Sequence, residues 1–203
     1  MNFRIKFSLA LLATGLLVAF IPLSGNRSLT ERPGVVISRL AGDERSLSVD
    51  QVARKIVTED TLFHLIDVRS EDEYHLLSLP GALNLPYQEM LKTDPTTYLA
   101  DGNVVNILYS NDDYDAGFAM ALAAGLGYDN CAVMTGGLNE WFRTVMNSKF
   151  SGERITAREN ALYETRTRAA KLFTEMNSLP DSLKSKYLNA SRFDPKKLDG
   201  GCE

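Results

Sequence analysis

Three compact apolar runs, separated by segments with helix-start signals, constrain this chain more than any other feature. They are "TLFHLIDVR" (Thr61 to Arg69), "VVNILYS" (Val104 to Ser110) and "NCAVMTGG" (Asn130 to Gly137), each suited to a buried strand. Helical segments lie around them. In "SLSVDQVARKI", Ser48 stands three residues ahead of Gln51, a capping-box pattern, and "SEDEYHLL" repeats it with Ser70 and Glu73. "DYDAGFAMALAAGLG" reads as a helix closed by Gly125 and Gly127, and "LNEWFRTV" as another. Strands alternating with helices at this spacing predict an α/β domain on a largely parallel sheet.

That alternation occupies residues 47–151. After Ser151 the pattern changes to helix alone. Ile155 to Asn177 carries Ile155, Leu162, Ala169, Phe173 and Met176 on one stripe, and "SLPDSLKSKYL" restarts a helix after Pro180. Residues 152–203 therefore read as a helical extension packed on the domain, with too few apolar residues for a core of its own. The end, "KKLDGGCE", reads as a flexible tail.

The amino terminus suggests a compartment. Arg4 and Lys6 precede an uncharged apolar run from Phe7 to Leu23, which as a helix would span about 25 Å, near the thickness of a bilayer core. Residues 1–25 have the layout of a signal peptide or a membrane anchor helix. No small-x-small cleavage site follows the run, which favours an uncleaved anchor over a cleaved signal, with a buried helix of neither role as the third reading. In both main cases the domain is exported, outside the cytoplasm in the cell envelope, or periplasm if bacterial. Residues 26–46 then form a polar linker.

Charge narrows the partners. From Leu47 to Ser151 six Lys/Arg stand against fifteen Asp/Glu, a balance of −9 inside a chain whose total is only −4. An acidic domain argues against nucleic acid and leaves another protein, or the membrane through the amino-terminal segment, as partner. Two cysteines, Cys131 and Cys202, make neither a disulfide framework nor a metal cluster. His64 and His75 read as packing or surface residues rather than ligands.

"DVRSEDEY" (Asp67 to Tyr74), "LPGALNLP" (Leu79 to Pro86) and "GYDNCAVMTGGLNEW" (Gly127 to Trp141), in this order and spacing, resemble a rhodanese-like domain. The resemblance implies a three-layer α/β fold with a mostly parallel five-stranded sheet. It also implies an active loop after the central strand, wrapped around an anion site at the start of the next helix. In that family the loop begins with a cysteine, whose thiolate accepts sulfane sulfur and holds it as a persulfide. Cations and helix N-termini nearby favour the ionised nucleophile.

The resemblance sets Ser110 at the cysteine position. The family's Gly, Arg and Ser farther along the loop are here Asp113, Asp115 and Ala116, and a Gly-His before the Pro-Gly-Ala run is Leu77-Ser78. A serine cannot carry a persulfide, and a serine nucleophile needs a positioned base that the loop does not contain. A cysteine-based phosphatase fails on the same counts.

The loop Ser110, Asn111, Asp112, Asp113, Tyr114, Asp115 thus reads as degenerate, with no cofactor implied. Its aspartates cap the next helix, or form a weak divalent-cation site (Asp112, Asp113, Asp115), or make an acidic patch for a basic partner with Tyr114 as anchor. Cys131 reads as a small buried hydrophobe. Cys202, on the tail, is the candidate thiol for an alternative sulfurtransferase route, although Asp199 and Glu203 beside it would raise its pKa.

Overall fold

The computed structural model describes residues 28–40, 45–92, 95–150 and 156–191. The signal or anchor reading of 1–25 and the expectations for Cys202 lie outside these residues. Among the described residues no helix is long and apolar enough to cross a membrane.

Each long strand is apolar on both faces, so each is covered on both sides. The strands are β1 (Ser46–Leu47), β2 (Phe63–Asp67), β3 (Leu83–Asn84), β4 (Val105–Tyr109) and β5 (Cys131–Met134). They form one sheet in the order β1-β5-β4-β2-β3, and every pairing is parallel. Central β4 pairs with β2 from Phe63↔Val105 to Asp67↔Tyr109, and with β5 from Asn106↔Cys131 to Leu108↔Val133. Successive side chains alternate between faces. Leu65, Ile107 and Tyr109 join one apolar cluster, while Ile66 and Leu108 join the other. The result is three layers.

The first cluster is closed by α2 (Val49–Val57), which buries Val49, Val52, Ala53 and Ile56. Its start is the expected capping box: the Gln51 amide donates to Ser48 Oγ, and Ser48 N donates to Gln51 Oε1 at 2.8 Å. The shorter α3 (Glu71–Leu76) is capped by Ser70, but the return bond differs. The Ser70 hydroxyl, not its backbone, meets the Glu73 carboxylate at 2.8 Å. The other Glu73 oxygen accepts from Asn111 at 3.0 Å.

The second face is covered by the 3₁₀ turn Tyr87–Glu89, α4 (Thr96–Leu99) and α5 (Asp113–Gly125). The buried stripe of α5 is mostly alanine (Ala116, Ala119, Ala123), which lets its backbone lie close to the sheet. After β5, α6 (Gly137–Glu140) runs on into a π-helical turn (Trp141–Met146), with Trp141 fully buried.

The carboxy-terminal helices pack on this domain. In α7 (Ala157–Asn177), Ala169, Phe173 and Met176 are buried, and Phe173 meets Trp141 and Phe142 with centroids 6.1 and 5.5 Å apart. Leu162 is only half-buried, and the helix begins at Ala157 because Thr156 caps it in a box with Glu159. The last helix, α8 (Asp181–Ser191), buries Leu188 and Lys184.

Part of the stretch 26–46, expected as a polar linker, is helical. It contains α1 (Pro33–Leu40), which packs on α5, and Pro33 at its first position suits a helix start. Ahead of it, Thr30 N and Glu31 N donate to Gly125 O at 2.9 and 3.0 Å, satisfying an end carbonyl of α5. Leu29 rests where a side chain at Gly125 would be.

Candidate functional site

The residues after central β4 are held from three sides. Ser110 is buried, and its Oγ has no hydrogen-bond partner among the described residues. Its carbonyl accepts from Leu138 N at 2.9 Å, and the Asn111 carbonyl from Asn139 N at 3.0 Å. The free amides at the start of α6 are thereby occupied by the loop's backbone. This approach requires the Gly136-Gly137 pair, both at positive φ. A Cβ on Gly137 would stand 2.5 Å from Ser110 O.

The aspartates do separate jobs. Asp112 is the cap of α5, accepting from Tyr114 N at 2.9 Å. Asp113 Oδ1 accepts from Gly136 N at 2.6 Å, tying α5 to the Gly-Gly turn. Carboxylates therefore already answer the positive start of α5. Among the described residues no three His, Cys, Asp or Glu side chains could hold a metal ion together. The cation-site expectation for Asp112, Asp113 and Asp115 finds no such cluster, because two of the three are turned to backbone amides.

Beneath the loop lies a buried ion pair. Arg69 Nε and Nη2 donate to the two oxygens of Asp67 at 3.0 and 2.6 Å, and Arg69 N adds a third bond at 3.0 Å. Burial pushes the Asp67 carboxyl up, and the hydrogen bonds from Arg69 pull the other way. Burial also works against the Arg69 charge, but the Asp67 bonds outweigh it and raise the guanidinium. The remaining Arg69 donors reach Leu77 O at 2.5 Å and Asn111 Oδ1 at 3.3 Å. Arg69 is thus the cation that reaches the loop, and its charge is already matched. The Tyr109 phenol accepts from Leu79 N at 3.1 Å, and burial holds its pKa well above the usual phenol value.

The comparisons with known proteins fall on this same region. The family model described as "Rhodanese-like domain" matches residues 48–144. Residues 48–144 form a rhodanese-like domain. The chain is 27% identical over 106 residues to the adenylyltransferase and sulfurtransferase uba4 of Ogataea parapolymorpha, covering 52% of this chain and 25% of that one. It therefore spans only a quarter of that relative. It is 25% identical over 114 residues to thiosulfate:glutathione sulfurtransferase of Saccharomyces cerevisiae, covering 51% of this chain and 82% of that one. Among solved structures, the single-domain sulfurtransferase RDL2 of Saccharomyces cerevisiae aligns with a TM-score of 0.41 at 21% identity, over 49% of this chain and 89% of that one.

Within the rhodanese-like domain, the strand register decides where the cysteine and the histidines lie relative to the loop. Cys131 opens β5 opposite Asn106, near the start of β4, whereas Ser110 follows that strand's other end. Three to four strand residues, about 10–13 Å, separate the two ends. Burial pushes the Cys131 thiol up to about 12. His64 sits near the start of β2, also at the far end, and His75 lies 3.6 Å from Glu71 on α3. Neither is a base for Ser110, whose Oγ has no partner among the described residues. Sequence reasoning overlooked Arg69 as the hub of the site, although the Asp-x-Arg pattern at a strand end was its signal. It also overlooked Asn177 and Lys184, whose partners stand about a hundred positions upstream.

Proposed function

We propose that this rhodanese-like domain no longer transfers sulfur and acts as a binding or scaffold module. One observation carries the reading. The position that the resemblance assigns to the family's cysteine is Ser110, a buried hydroxyl with neither base nor unmatched cation beside it among the described residues. Cys131, the cysteine within the described residues, lies at the opposite end of the sheet with its thiol protonated. A persulfide needs an ionisable thiol at the loop.

The relatives named as sulfurtransferases favour a second reading: sulfane sulfur transfer by a non-standard thiol such as Cys202. Thiosulfate:cyanide and thiosulfate:glutathione assays on the full chain separate the two. The binding-module reading expects no turnover above buffer, and Ser110→Cys with Asp115→Arg to gain it. Turnover by the parent that Cys202→Ser abolishes would establish the second reading instead.

The charged start and apolar run of residues 1–25 support placing the module at a membrane, exported into the cell envelope. Fractionation with protease accessibility tests this. A domain protected with cytoplasmic markers would refute it.

A further inference from the structure

An aromatic strip runs beside the Ser110 loop. Tyr114 is 81% exposed and Phe118 is 50% exposed. Four residues apart on α5, they share one face of the helix. The Phe118 ring meets Tyr87 edge-on with centroids 5.6 Å apart, which carries the strip onto the 3₁₀ turn. Isolated exposed apolar residues are ordinary on a protein surface. This strip differs because its members adjoin one another and border a charged cleft.

That cleft, of about 260 Å³, is lined by Glu71 and Glu89 together with Ser70, Asn84, Gln88 and Tyr98, and among the described residues by no Lys or Arg. Gln88 and Glu89 follow Tyr87 directly in the same turn. Strip and cleft therefore form one surface, within a stretch whose charge is −9.

We propose that this surface docks a basic segment of a partner protein. Apolar side chains of the segment cover Tyr87, Tyr114 and Phe118, and a Lys or Arg enters the cleft between Glu71 and Glu89. Tyrosine is well suited to such an anchor, and aromatic faces also attract cations. Charge complementarity selects this occupant over the others. A second copy of the chain would set the same acidic surface against itself, and nucleic acid or an anionic lipid surface would be repelled likewise. The proposal rests on the binding-module reading and names the chemistry of its partner.

Fluorescence anisotropy tests it, with the full chain titrated into a labelled peptide of repeating Arg-Leu-Ala, beside a Glu-Leu-Ala peptide of equal length. The expected result is binding of the basic peptide alone, weakening as salt is raised. Tyr114→Ala and Phe118→Ala should each weaken it by about tenfold or more. Glu89→Gln should weaken it less and flatten the salt dependence. Leu183→Ala, a half-exposed residue on α8, should bind as the parent does. Failure of the parent to bind, equal binding of the acidic peptide, or parent-like affinity in both aromatic variants overturns the proposal. Sulfur-transfer assays on the same preparations keep the two readings apart. Turnover with intact peptide binding removes only the loss of sulfur transfer, whereas no turnover and no binding removes the docking surface.

Discussion

Asn177 grips Ser78 by both ends of its amide, accepting from Ser78 N at 3.2 Å and donating to Ser78 O at 2.9 Å. Three consecutive carbonyls here each take a side-chain donor from a different part of the chain. Leu76 O accepts from Lys184, Leu77 O from Arg69 and Ser78 O from Asn177. The carboxy-terminal helices thus hold the segment that borders the loop, leaving its backbone no need of water. Asn177→Ala should cost about 1–3 kcal/mol, because it orphans both backbone groups of a buried residue. Urea unfolding measures the loss, and hydrogen exchange at the Ser78 amide should quicken in step. An unchanged Ser78 exchange rate would mean that the extension merely covers the domain.

Arg69 and Asp67 form the pair whose halves are least able to stand alone. Arg69→Leu leaves the Asp67 carboxylate, fully buried, without the guanidinium that neutralises it. The expected loss is about 3–5 kcal/mol. Adding Asp67→Asn should recover part of it, since the stranded charge goes. A double variant no more stable than Arg69→Leu would contradict this account of the pair.

Gly137 and Gly81 both have positive φ, yet only one is crowded. At Gly81 an added Cβ meets nothing within 4 Å, so Gly81→Ala incurs backbone strain alone, about 1–2 kcal/mol. At Gly137 the same Cβ would press on Ser110 O and Asn111 C, 2.5 and 2.7 Å away. Gly137→Ala should therefore be the more destabilising by about 1–3 kcal/mol in thermal unfolding. Equal melting temperatures would show that the loop can move aside.

Glu73 gives the loop a pH dependence. The Ser70 hydroxyl, and then the Asn111 amide, hold its carboxyl below the usual value of 4.5. A folded pKa below the unfolded one contributes stability above the unfolded value, lost as pH falls through the folded one. The stability difference between the parent and Glu73→Gln should be full at neutral pH and shrink below about pH 4.5. Denaturant titrations at a series of pH values check this, and a gap that widens on acidification would reverse the sign.

Cys131 should behave as a hydrophobe. With its thiol pushed up to about 12, almost none is ionised at neutral pH. In a Cys202→Ser background, iodoacetamide should leave the native chain unmodified and label it in denaturant. Rapid native labelling would return Cys131 to the candidate sulfur carriers.

The strands at Phe63 and Val105, the caps at Ser48 and Ser70, and the burial of Phe173 were all legible in the sequence. Each depends on periodicity or on a bond spanning two or three residues, and such patterns are written locally. The acidic composition of the loop was legible as well, because it needs only the residue types. Which aspartate caps was settled by packing: Asp112 keeps that role because Asp113 is drawn to Gly136 across the loop.

Residues 26–46 show the limit from the other side. Their polar composition says linker, but a free carbonyl at Gly125 and the space above it bind Thr30, Glu31 and Leu29. By itself, then, the sequence determined the kinds of the main elements and their order. Only the tertiary structure decided that Arg69 is neutralised, that Cys131 lies at the far end of the sheet, and that Asn177 closes on Ser78. Those outcomes turn on which donor meets which acceptor across a folded core. A chain read residue by residue carries no record of that distance.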